Sequence, residues 1–232
     1  MSKTPYPTTI YIVRHAESQG NVRTDEERSK LQVGANYYKL TKRGRIQARA
    51  VHGLFQGVEL DPYRVFVSYY ARTNETAQIA FPDAEYREDS LLAERSRGVW
   101  DTMTLSDMEA HMPWEVERKR RQGEYHYRPA AGENYSDVER RVREFVRFLK
   151  EKYDGKEIVV VTHSHWILLW QKIFHGWSIE ETVRRFENKL WVENAAVLVY
   201  HNIWDSSCNQ FILHHLPEKD HIVPWKLHLV EA

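Results

Sequence analysis

The sequence predicts an α/β protein: a three-layer α/β/α sandwich around a mostly parallel sheet, with an insertion lying over that sheet. Three short apolar runs rich in β-branched residues have the composition of buried strands. Each run is followed by polar residues and then by a helical pattern, which is typical of βαβ units with a parallel sheet. Because no linker rich in glycine, proline or serine divides the 232 residues, we expect one domain over residues 1–232.

The strands are predicted at Thr9–Val13, Val65–Val67 and Ile158–Val161. A later segment, Ala195–Tyr200, has the pattern of a further strand, for which an antiparallel pairing is open. The apolar and aromatic region Leu190–Tyr200 belongs either to the core or to an interface between copies. The sequence therefore leaves a homodimer open.

Two helices are predicted from apolar residues that recur along one face. In Thr41–Phe55 the spacing of Ile46, Ala50 and Leu54 is that of one face of a helix, and Thr41 is the expected N-cap. From Ser136 to Lys152 a second helical stripe has charges on its other face and consists of Val138, Val142, Phe145 and Leu149. The pair Asp154-Gly155 then predicts a stop before the next strand.

The stretch from Arg95 to about residue 130 differs from the rest of the chain. It is rich in charges and aromatic side chains, and contains Trp100, Pro113, Trp114, Tyr125 and Tyr127. We expect it to be an insertion that lies over the sheet rather than a part of it. The charged run Glu117–Gln122 within it is typical of a solvated helix face.

Bulk composition excludes several classes of function. Lys+Arg and Asp+Glu are equal at 33 each, which argues against nucleic-acid binding because phosphate backbones are usually met by excess positive charge. No apolar run approaches the roughly 20 residues that a membrane span needs. The single cysteine, Cys208, has no internal partner for a disulfide, and with no signal peptide in evidence we expect a cytoplasmic protein.

Basic and polar residues follow each of the three predicted strands. They are Arg14 and His15 after the first, Ser68 and Arg72 after the second, and Thr162 and His163 after the third. Ligands of open α/β sheets bind beyond the carboxyl ends of the strands, so these side chains are expected to converge. Guanidinium groups match phosphate oxygens bidentately, and imidazoles beside them suit nucleophilic or acid–base work. The pattern predicts a site for a dianion.

Six stretches, in order along the chain, resemble the phosphatase branch of the histidine phosphatase superfamily, the phosphoglycerate mutase-like enzymes. They are R-H-A-E-S-Q-G-N (14–21), L-T-K-R-G-R-I-Q-A (40–48), S-Y-Y-A-R-T-N-E-T-A (68–77), L-A-E-R-S-R-G-V-W-D (92–101), G-E-N-Y-S-D-V-E-R-R (132–141) and V-T-H-S-H (161–165). The resemblance implies that the insertion caps an active site.

The resemblance also implies roles for the residues that match. His15 would attack a phosphoryl group and become a phosphohistidine. Arg14, Arg72 and His163 would bind the equatorial oxygens and stabilise the charge that develops on them. Asn21 would add a hydrogen bond to the same phosphoryl group.

Glu94 would be the proton donor to the leaving group and then the base that activates water. Glu109, Glu115 and Glu117 also lie in or near the insertion and are alternatives for this acid. The phosphate-binding set is completed by Ser164. Supporting positions around the pocket are expected at Ser18, Glu133, Arg141 and Asn194.

Two departures from the family pattern affect the pocket. Ala16 follows His15, and Ser164 follows His163, where the family usually has glycine. If these positions require a positive φ, each side chain costs about 1 kcal/mol or more. His165 is expected at the pocket rim or behind it. A zinc site on His163 and His165 is an open but weak alternative.

We therefore expect a metal-independent phosphomonoester hydrolase of the histidine acid phosphatase type, with no cofactor and a small phosphorylated substrate. One alternative is a cofactor-dependent phosphoglycerate mutase, for which Arg120 and Arg121 would hold a carboxylate. The short segment between Glu94 and His163 argues against it, as does Arg97, which stands near where mutases tend to carry a tyrosine. A second alternative is an inactive phosphate-binding regulatory module.

Overall fold

A sheet of six strands lies at the centre of the part of the chain that the structure describes. The structure is a computed structural model, and it describes residues 7–30, 33–58, 64–205, 210–216 and 221–227. The strands are β1 (Thr9–Arg14), β2 (Val65–Val67), β3 (Tyr86–Glu88), β4 (Glu157–Thr162), β5 (Val197–Asp205) and β6 (Gln210–Leu216). Cys208 lies outside the described residues.

The strand order is β3-β2-β4-β1-β5-β6. The pairings of β3 with β2, β2 with β4, and β4 with β1 are parallel, whereas β5 runs antiparallel to both β1 and β6. This confirms the predicted mostly parallel sheet and the late antiparallel strand. Val197, Leu198 and Tyr200 are buried in the core. The strands β3 and β6 were not anticipated from the sequence.

The helices connect and flank these strands. They are α1 (Gln19–Val22), α2 (Asp25–Ser29), α3 (Lys42–Leu54), α4 (Ala71–Ala80), α5 (Leu105–His111), α6 (Pro113–His126), α7 (Tyr135–Lys152), α8 (Ser164–His175), α9 (Ile179–Glu187) and α10 (Pro224–Leu227). Short 3₁₀ turns occur at Ala35–Tyr37, Ser90–Leu92 and Gly98–Asp101. Within the described ranges, no helix combines the length and apolar character that a membrane crossing requires.

Both faces of the sheet are covered, which gives the predicted three layers. Along β4, Ile158 and Val160 pack into one hydrophobic cluster while Val159 and Val161 pack into another, as the two-residue period of a strand requires. Helices α7 and α8 supply the first cluster, and α3 and α4 supply the second. The predicted stripe on α7 is confirmed, since all four of its apolar residues are buried.

The predicted helix is found as α3, but the apolar residues that indicated it do not form its buried face, although Leu54 packs partly against the second cluster. Ile46 is 61% exposed, and the helix instead buries Gly44, Gln47, Ala48 and Val51. The reason is close packing against the loop after β1: a Cβ on Gly44 would lie only 2.0 Å from the carbonyl oxygen of Glu17. The helix therefore approaches this loop closely at Gly44, and Ile46, two residues further on, is turned to the far side.

The expected N-cap of α3 is confirmed. The Thr41 hydroxyl accepts a hydrogen bond from the Gly44 amide at 3.0 Å, and it also donates to the Glu17 carboxylate at 2.6 Å. The backbone amide of Thr41 donates to the Glu17 carbonyl. The start of this helix is thus bonded directly to the loop that follows β1.

Residues 95–130, referred to below as the lid, contain α5 and α6. The two ends of the lid are bonded together, because the Val99 amide donates to the Ala130 carbonyl at 3.1 Å. Gly98 is required at this junction: its φ is +55°, and a Cβ would lie 2.1 Å from the Ala130 carbonyl oxygen. The predicted solvated face is found on α6, where Glu117, Arg120 and Arg121 are exposed.

Candidate active site

The carboxyl ends of β1, β2 and β4 meet at one edge of the sheet. Pairing aligns Arg14 with Thr162 and Val67 with Val161. The residues just after the strands continue this contact, since the His15 amide donates to the Thr162 carbonyl at 2.9 Å. A cavity of about 380 Å³ opens at this edge. Its walls include Arg14, His15, Ser18, Asn21, Arg72, Glu94 and Ser164, all of which were predicted as site residues.

His15 is buried at the end of the cavity and its tautomer is fixed. Its Nδ1 lies 2.8 Å from the Ala16 carbonyl oxygen. Because a carbonyl only accepts, Nδ1 carries the proton and Nε2 keeps its lone pair. Arg72 Nε donates to that Nε2 at 3.2 Å. Burial, followed by the charges of Arg72 and Arg14, lowers the pKa of His15 well below its usual value, so the ring is neutral at neutral pH.

Two buried arginines bring positive charge to the cavity. Arg14 donates to the Val192 carbonyl, and Arg72 donates to the Ala35 carbonyl at 2.8 Å. The Arg72 guanidinium also lies 4.5 Å from the centre of the Tyr70 ring. Burial lowers the pKa of Arg14 to about 10 despite the opposing influence of Glu94, and this arginine therefore stays cationic at neutral pH.

His163 is fully buried beside His15, with the ring centres 5.3 Å apart. Its Nε2 lies 2.8 Å from the Ser68 hydroxyl, and its ring packs edge-on against Tyr70 at 4.8 Å. Burial, then Arg72, lowers the pKa of His163 well below its usual value. The helices α4 and α8 begin at Ala71 and Ser164, so both present their positive ends to this edge of the sheet.

A hydrogen-bonded network holds the loop after β1. The Asn21 amide oxygen accepts from the Ser18 hydroxyl and from the Ser18 backbone amide, each at 2.9 Å. Asn194 Nδ2 donates to the His15 carbonyl at 2.9 Å and approaches Asn21 at 3.4 Å. Asn194 is therefore a support for the His15 backbone and does not line the cavity, whereas Asn21 does.

Glu94 lies on the wall of the same cavity. Its Oε1 is 3.1 Å from His165 Nδ1 and accepts from the Arg95 amide at 2.9 Å. Its Oε2 accepts from the Ser164 hydroxyl at 3.4 Å. Burial raises the pKa of Glu94, but His165, His163 and Arg72 together outweigh it and hold the pKa well below its usual range.

Glu133 and Arg141 support the segment that carries Glu94. Arg141 binds the Glu133 carboxylate through two nitrogens, each at 2.9 Å, and donates to the carbonyls of Leu91 and Ala93. Glu133 in turn accepts from the Ser96 amide at 3.0 Å. Both residues thus act on the backbone around Glu94, and neither lines the cavity.

The two substitutions for glycine are accommodated without strain. Among the described residues, positive φ angles at non-glycine positions occur at Ala131, Lys189 and Ala195, and neither Ala16 nor Ser164 is among them. The Ala16 amide donates to the Thr76 hydroxyl, and the alanine is fully buried. Ser164 begins α8 and adds a hydroxyl next to Glu94.

Several residues that the sequence offered as alternatives, for the catalytic acid, a carboxylate site or a zinc site, do not form a site in the cavity. Glu115 is bonded to Arg118 and Tyr127 in the lid, and Glu109 and Glu117 are exposed. Arg120, 84% exposed, pairs with Glu117, and Arg121 is also exposed. His163 and His165 contact different partners, Ser68 and Glu94, and the described residues include no cluster of three or more metal-binding side chains.

Some wall residues were not singled out from the sequence. Tyr70 contacts both His163 and Arg72, and its position between Ser68 and Arg72 in a matching stretch was an available signal. Asp101, whose pKa burial raises, ends another matching stretch. Trp191 lies in an apolar region where nothing in the pattern marks it.

Comparison with known proteins agrees with this architecture. The α-ribazole phosphatase from Shigella flexneri has a TM-score of 0.70 at 21% identity, covering 90% of this chain and 95% of that one. A mycobacterial glucosyl-3-phosphoglycerate phosphatase complexed with VO3 has a TM-score of 0.67 at 20% identity, covering 90% and 98%. At these identities the likeness concerns the fold.

Proteins of similar sequence agree with the structural comparison. Human 6-phosphofructo-2-kinase/fructose-2,6-bisphosphatase 1 is 29% identical over 158 residues, which is 68% of this chain and 31% of the human protein. The chain thus spans about a third of the length of the curated relatives that it matches first. The family model of the histidine phosphatase superfamily (branch 1) matches residues 10–201. The chain belongs to the histidine phosphatase superfamily.

Proposed function

We propose that this protein is a metal-independent phosphomonoester hydrolase that works through a phosphohistidine on His15. The observation that carries the proposal is the fixed tautomer of His15. Its Nδ1 donates to the Ala16 carbonyl at 2.8 Å, so Nε2 is unprotonated and accepts from Arg72 Nε at 3.2 Å. The lone pair of Nε2 attacks once the phosphoryl oxygens take over that donor. A buried neutral imidazole among cations suits attack on a phosphate dianion.

In the first step His15 Nε2 attacks phosphorus. A P–N bond forms, the P–O bond to the alcohol breaks, and the leaving oxygen takes a proton from the Glu94 carboxyl group. Arg14, Arg72 and His163 bind the equatorial oxygens, and Asn21 and the amide end of α8 at Ser164 add donors. An alkoxide leaves poorly, so the proton from Glu94 is worth about 10²–10⁴ in rate.

In the second step Glu94 acts as a base. It takes a proton from water, the water oxygen attacks phosphorus, and the P–N bond breaks to release inorganic phosphate and neutral His15. Glu94 is ionised before substrate arrives, because its neighbours hold its pKa well below its usual range. A phosphate dianion offsets the charge of the nearby Arg72 and raises the pKa of Glu94, so Glu94 takes its first proton from solvent and regains it from the attacking water in each turnover.

The names of the similar proteins support hydrolysis over transfer to a second hydroxyl. They are a 6-phosphofructo-2-kinase/fructose-2,6-bisphosphatase, of which the chain matches 31%, an α-ribazole phosphatase and a glucosyl-3-phosphoglycerate phosphatase. A mutase needs a group that holds the carboxylate of its substrate. The exposed positions of Arg120 and Arg121, away from the cavity, argue against that assignment. A histidine acid phosphatase type of activity fits the low pKa of His15, because the nucleophile stays unprotonated in mild acid.

The test is phosphorus NMR of the purified protein with a panel of alkyl and aryl phosphomonoesters in the presence of a chelator. The panel includes 3-phosphoglycerate with a trace of its bisphosphate. We expect inorganic phosphate to grow with time. A 2-phosphoglycerate signal without free phosphate would identify a mutase. Bound phosphate with no turnover of any ester would identify an inactive binding module.

A further inference from the structure

A second cavity of about 240 Å³ lies beside the first, on the lid side. The two cavities share four wall residues: Arg95, Arg97, His165 and Trp191. None of the residues that grip the phosphoryl group in the proposed mechanism lines the second cavity. It is therefore separate from the part of the first cavity around Arg14, His15 and Arg72, called the phosphate end below, and lies where the alcohol part of an ester would extend.

His165 indicates the direction in which that alcohol would extend. Its Nδ1 lies 3.1 Å from Glu94, and its ring lies 5.9 Å from Trp191 and 5.6 Å from Phe186. The oxygen that Glu94 protonates belongs to the leaving alcohol. The carbon skeleton attached to that oxygen thus begins next to the shared wall of the two cavities.

The walls of the second cavity present aromatic ring surface. Phe186 and Trp191 meet edge to face at 5.3 Å and 76°, which forms a corner. On the lid side, Trp100 Nε1 donates to the Tyr127 hydroxyl at 2.9 Å, and that hydroxyl donates to Glu115 at 2.6 Å. The polar atoms of this pair are bonded to each other or to the lid, and the Tyr127 ring is buried. Trp100 therefore offers the ring surface on this side, with the Lys119 ammonium 5.2 Å from its centre.

Each of the three cationic side chains of the second cavity contacts a carboxylate, and Arg95 and Lys119 share the same one. Glu124 accepts from Arg95 at 2.9 Å and lies 3.2 Å from Lys119. Arg97 lies 3.7 Å from Asp25 on α2. A second phosphate or carboxylate on the substrate would have to compete with these acids. A neutral group would leave the pairs intact.

We propose that the second cavity binds a neutral aromatic or heteroaromatic ring carried by the alcohol part of the phosphomonoester. The assignment rests on the proposed hydrolase activity for the placement of the phosphoryl group. The ring stacks against the aromatic walls, and the phosphoryl group reaches His15. Trp191 borders both cavities and is a specificity-determining residue.

The test compares 3-phenylpropyl phosphate with n-propyl phosphate, whose leaving groups have the same chemistry at oxygen. We expect kcat/KM for the phenyl compound to be larger by about tenfold, the order expected for ring burial against aromatic walls. In Trp191→Leu and Trp100→Leu this ratio should fall below about threefold. Trp114→Leu is the matched control, because Trp114 is in the lid, 60% exposed and outside both cavities.

A second readout is independent of turnover. Calorimetry measures the affinities of 3-phenylpropylphosphonate and n-propylphosphonate for the wild-type protein, and the phenyl compound should bind about tenfold more tightly. Equal kcat/KM and equal affinity would overturn the ring assignment while leaving the hydrolase intact. Preference for a propane-1,3-diol bisphosphate over both monoesters would overturn it in favour of a second anion. Selective binding without any hydrolysis would support the ring site and refute the proposed activity.

Discussion

The phosphate end and the lid end of the site are built in different ways. At the phosphate end Arg14 and Arg72 are 8% and 6% exposed, and both donate to backbone carbonyls. At the lid end the side chains of Arg97 and Lys119 are 39% and 41% exposed and contact acidic side chains. The first arrangement is fixed by strands and helices of the core. The second consists of side-chain ion pairs, of which Arg95–Glu124 is buried and the pairs of Arg97 and Lys119 are partly exposed.

Under the proposed function, catalysis depends on the buried end of the site and the choice of alcohol depends on the lid. Groups held to a buried backbone keep their geometry, which preorganised charge stabilisation requires. Exposed ion pairs contribute about 0–1 kcal/mol each, so the lid tolerates changes that alter which alcohol fits. We therefore expect substitutions at the phosphate end to abolish turnover of every ester, and substitutions in the lid to change the ranking among esters.

The largest effect is expected for His15→Ala. Without the nucleophile, kcat should fall by about 10⁴-fold or more for alkyl and aryl phosphates alike. Circular dichroism should show the wild-type fold, and His111→Ala, an exposed histidine of the lid, should keep wild-type activity. If His15→Ala retained substantial turnover, the phosphate end would not contain the nucleophile that the account assigns to it.

Arg72→Lys should lower kcat/KM by about 10²–10³-fold on all esters. Lysine keeps the charge but loses the planar fork that here contacts both His15 and the Ala35 carbonyl. Steady-state kinetics against Arg120→Lys, an exposed lid arginine, provides the matched comparison. Similar small losses in both variants would mean that the two regions do not differ as described.

Glu94→Gln separates the two leaving-group classes. The variant should lose about 10²-fold or more in kcat/KM for an alkyl phosphate, whose oxygen needs a proton. The kcat/KM for p-nitrophenyl phosphate, whose leaving group needs none, should change far less. Glu109→Gln, an exposed residue of α5, is the control. Equal losses on both substrates would place the acid on another residue.

The smallest expected effect is the dependence of the free energy of unfolding on pH. Burial lowers the pKa values of His15 and His163 below 6.5, so the unfolded chain binds more protons than the native protein in mild acid. The free energy of unfolding should therefore fall as pH decreases below about 6.5, by at most ~1.4 kcal/mol per pH unit for each histidine. Urea unfolding between pH 7.5 and 5.5 measures this slope.

In the same experiment His15→Asn should reduce the slope, since one of the two buried imidazoles is gone. The pKa of Glu94 is lowered instead, so its contribution is present above pH 4.5 and lost below it, outside the window measured. A slope that is the same in His15→Asn and wild type would show that His15 titrates in the native protein as it does in the unfolded chain.

The sequence predicted the phosphate end better than the lid end, for a physical reason. Arg14, His15 and His163 follow apolar strands directly, and the alignment of parallel strands brings such positions together without further information. The apolar stripe of α7 was equally predictable, because its helical period is regular. The helix α3 was predicted, but its buried face could not be, because a helix that packs through Gly44 and Ala48 shows no hydrophobic pattern on its contact surface.

The second cavity could not be predicted from the sequence. Its aromatic walls come from Trp100 and Tyr127 in the lid, Phe186 in α9 and Trp191 after α9, with no shared spacing. The support of Glu94 by Arg141 and Glu133 was expected from the resemblance alone, and the bidentate contact behind the Glu94 segment gives it a physical basis. Contacts between distant segments depend on tertiary packing, which periodicity does not encode.

The most direct test of the central claim is to trap the phosphoryl group on His15. In Glu94→Gln the attack on p-nitrophenyl phosphate should proceed while hydrolysis by water is slowed, so the phosphoenzyme should accumulate. We expect a burst of one p-nitrophenol per protein and, after an alkaline quench, an acid-labile phosphoryl group mapped to His15. No burst and no label on His15, or a label on any other residue, would contradict the account.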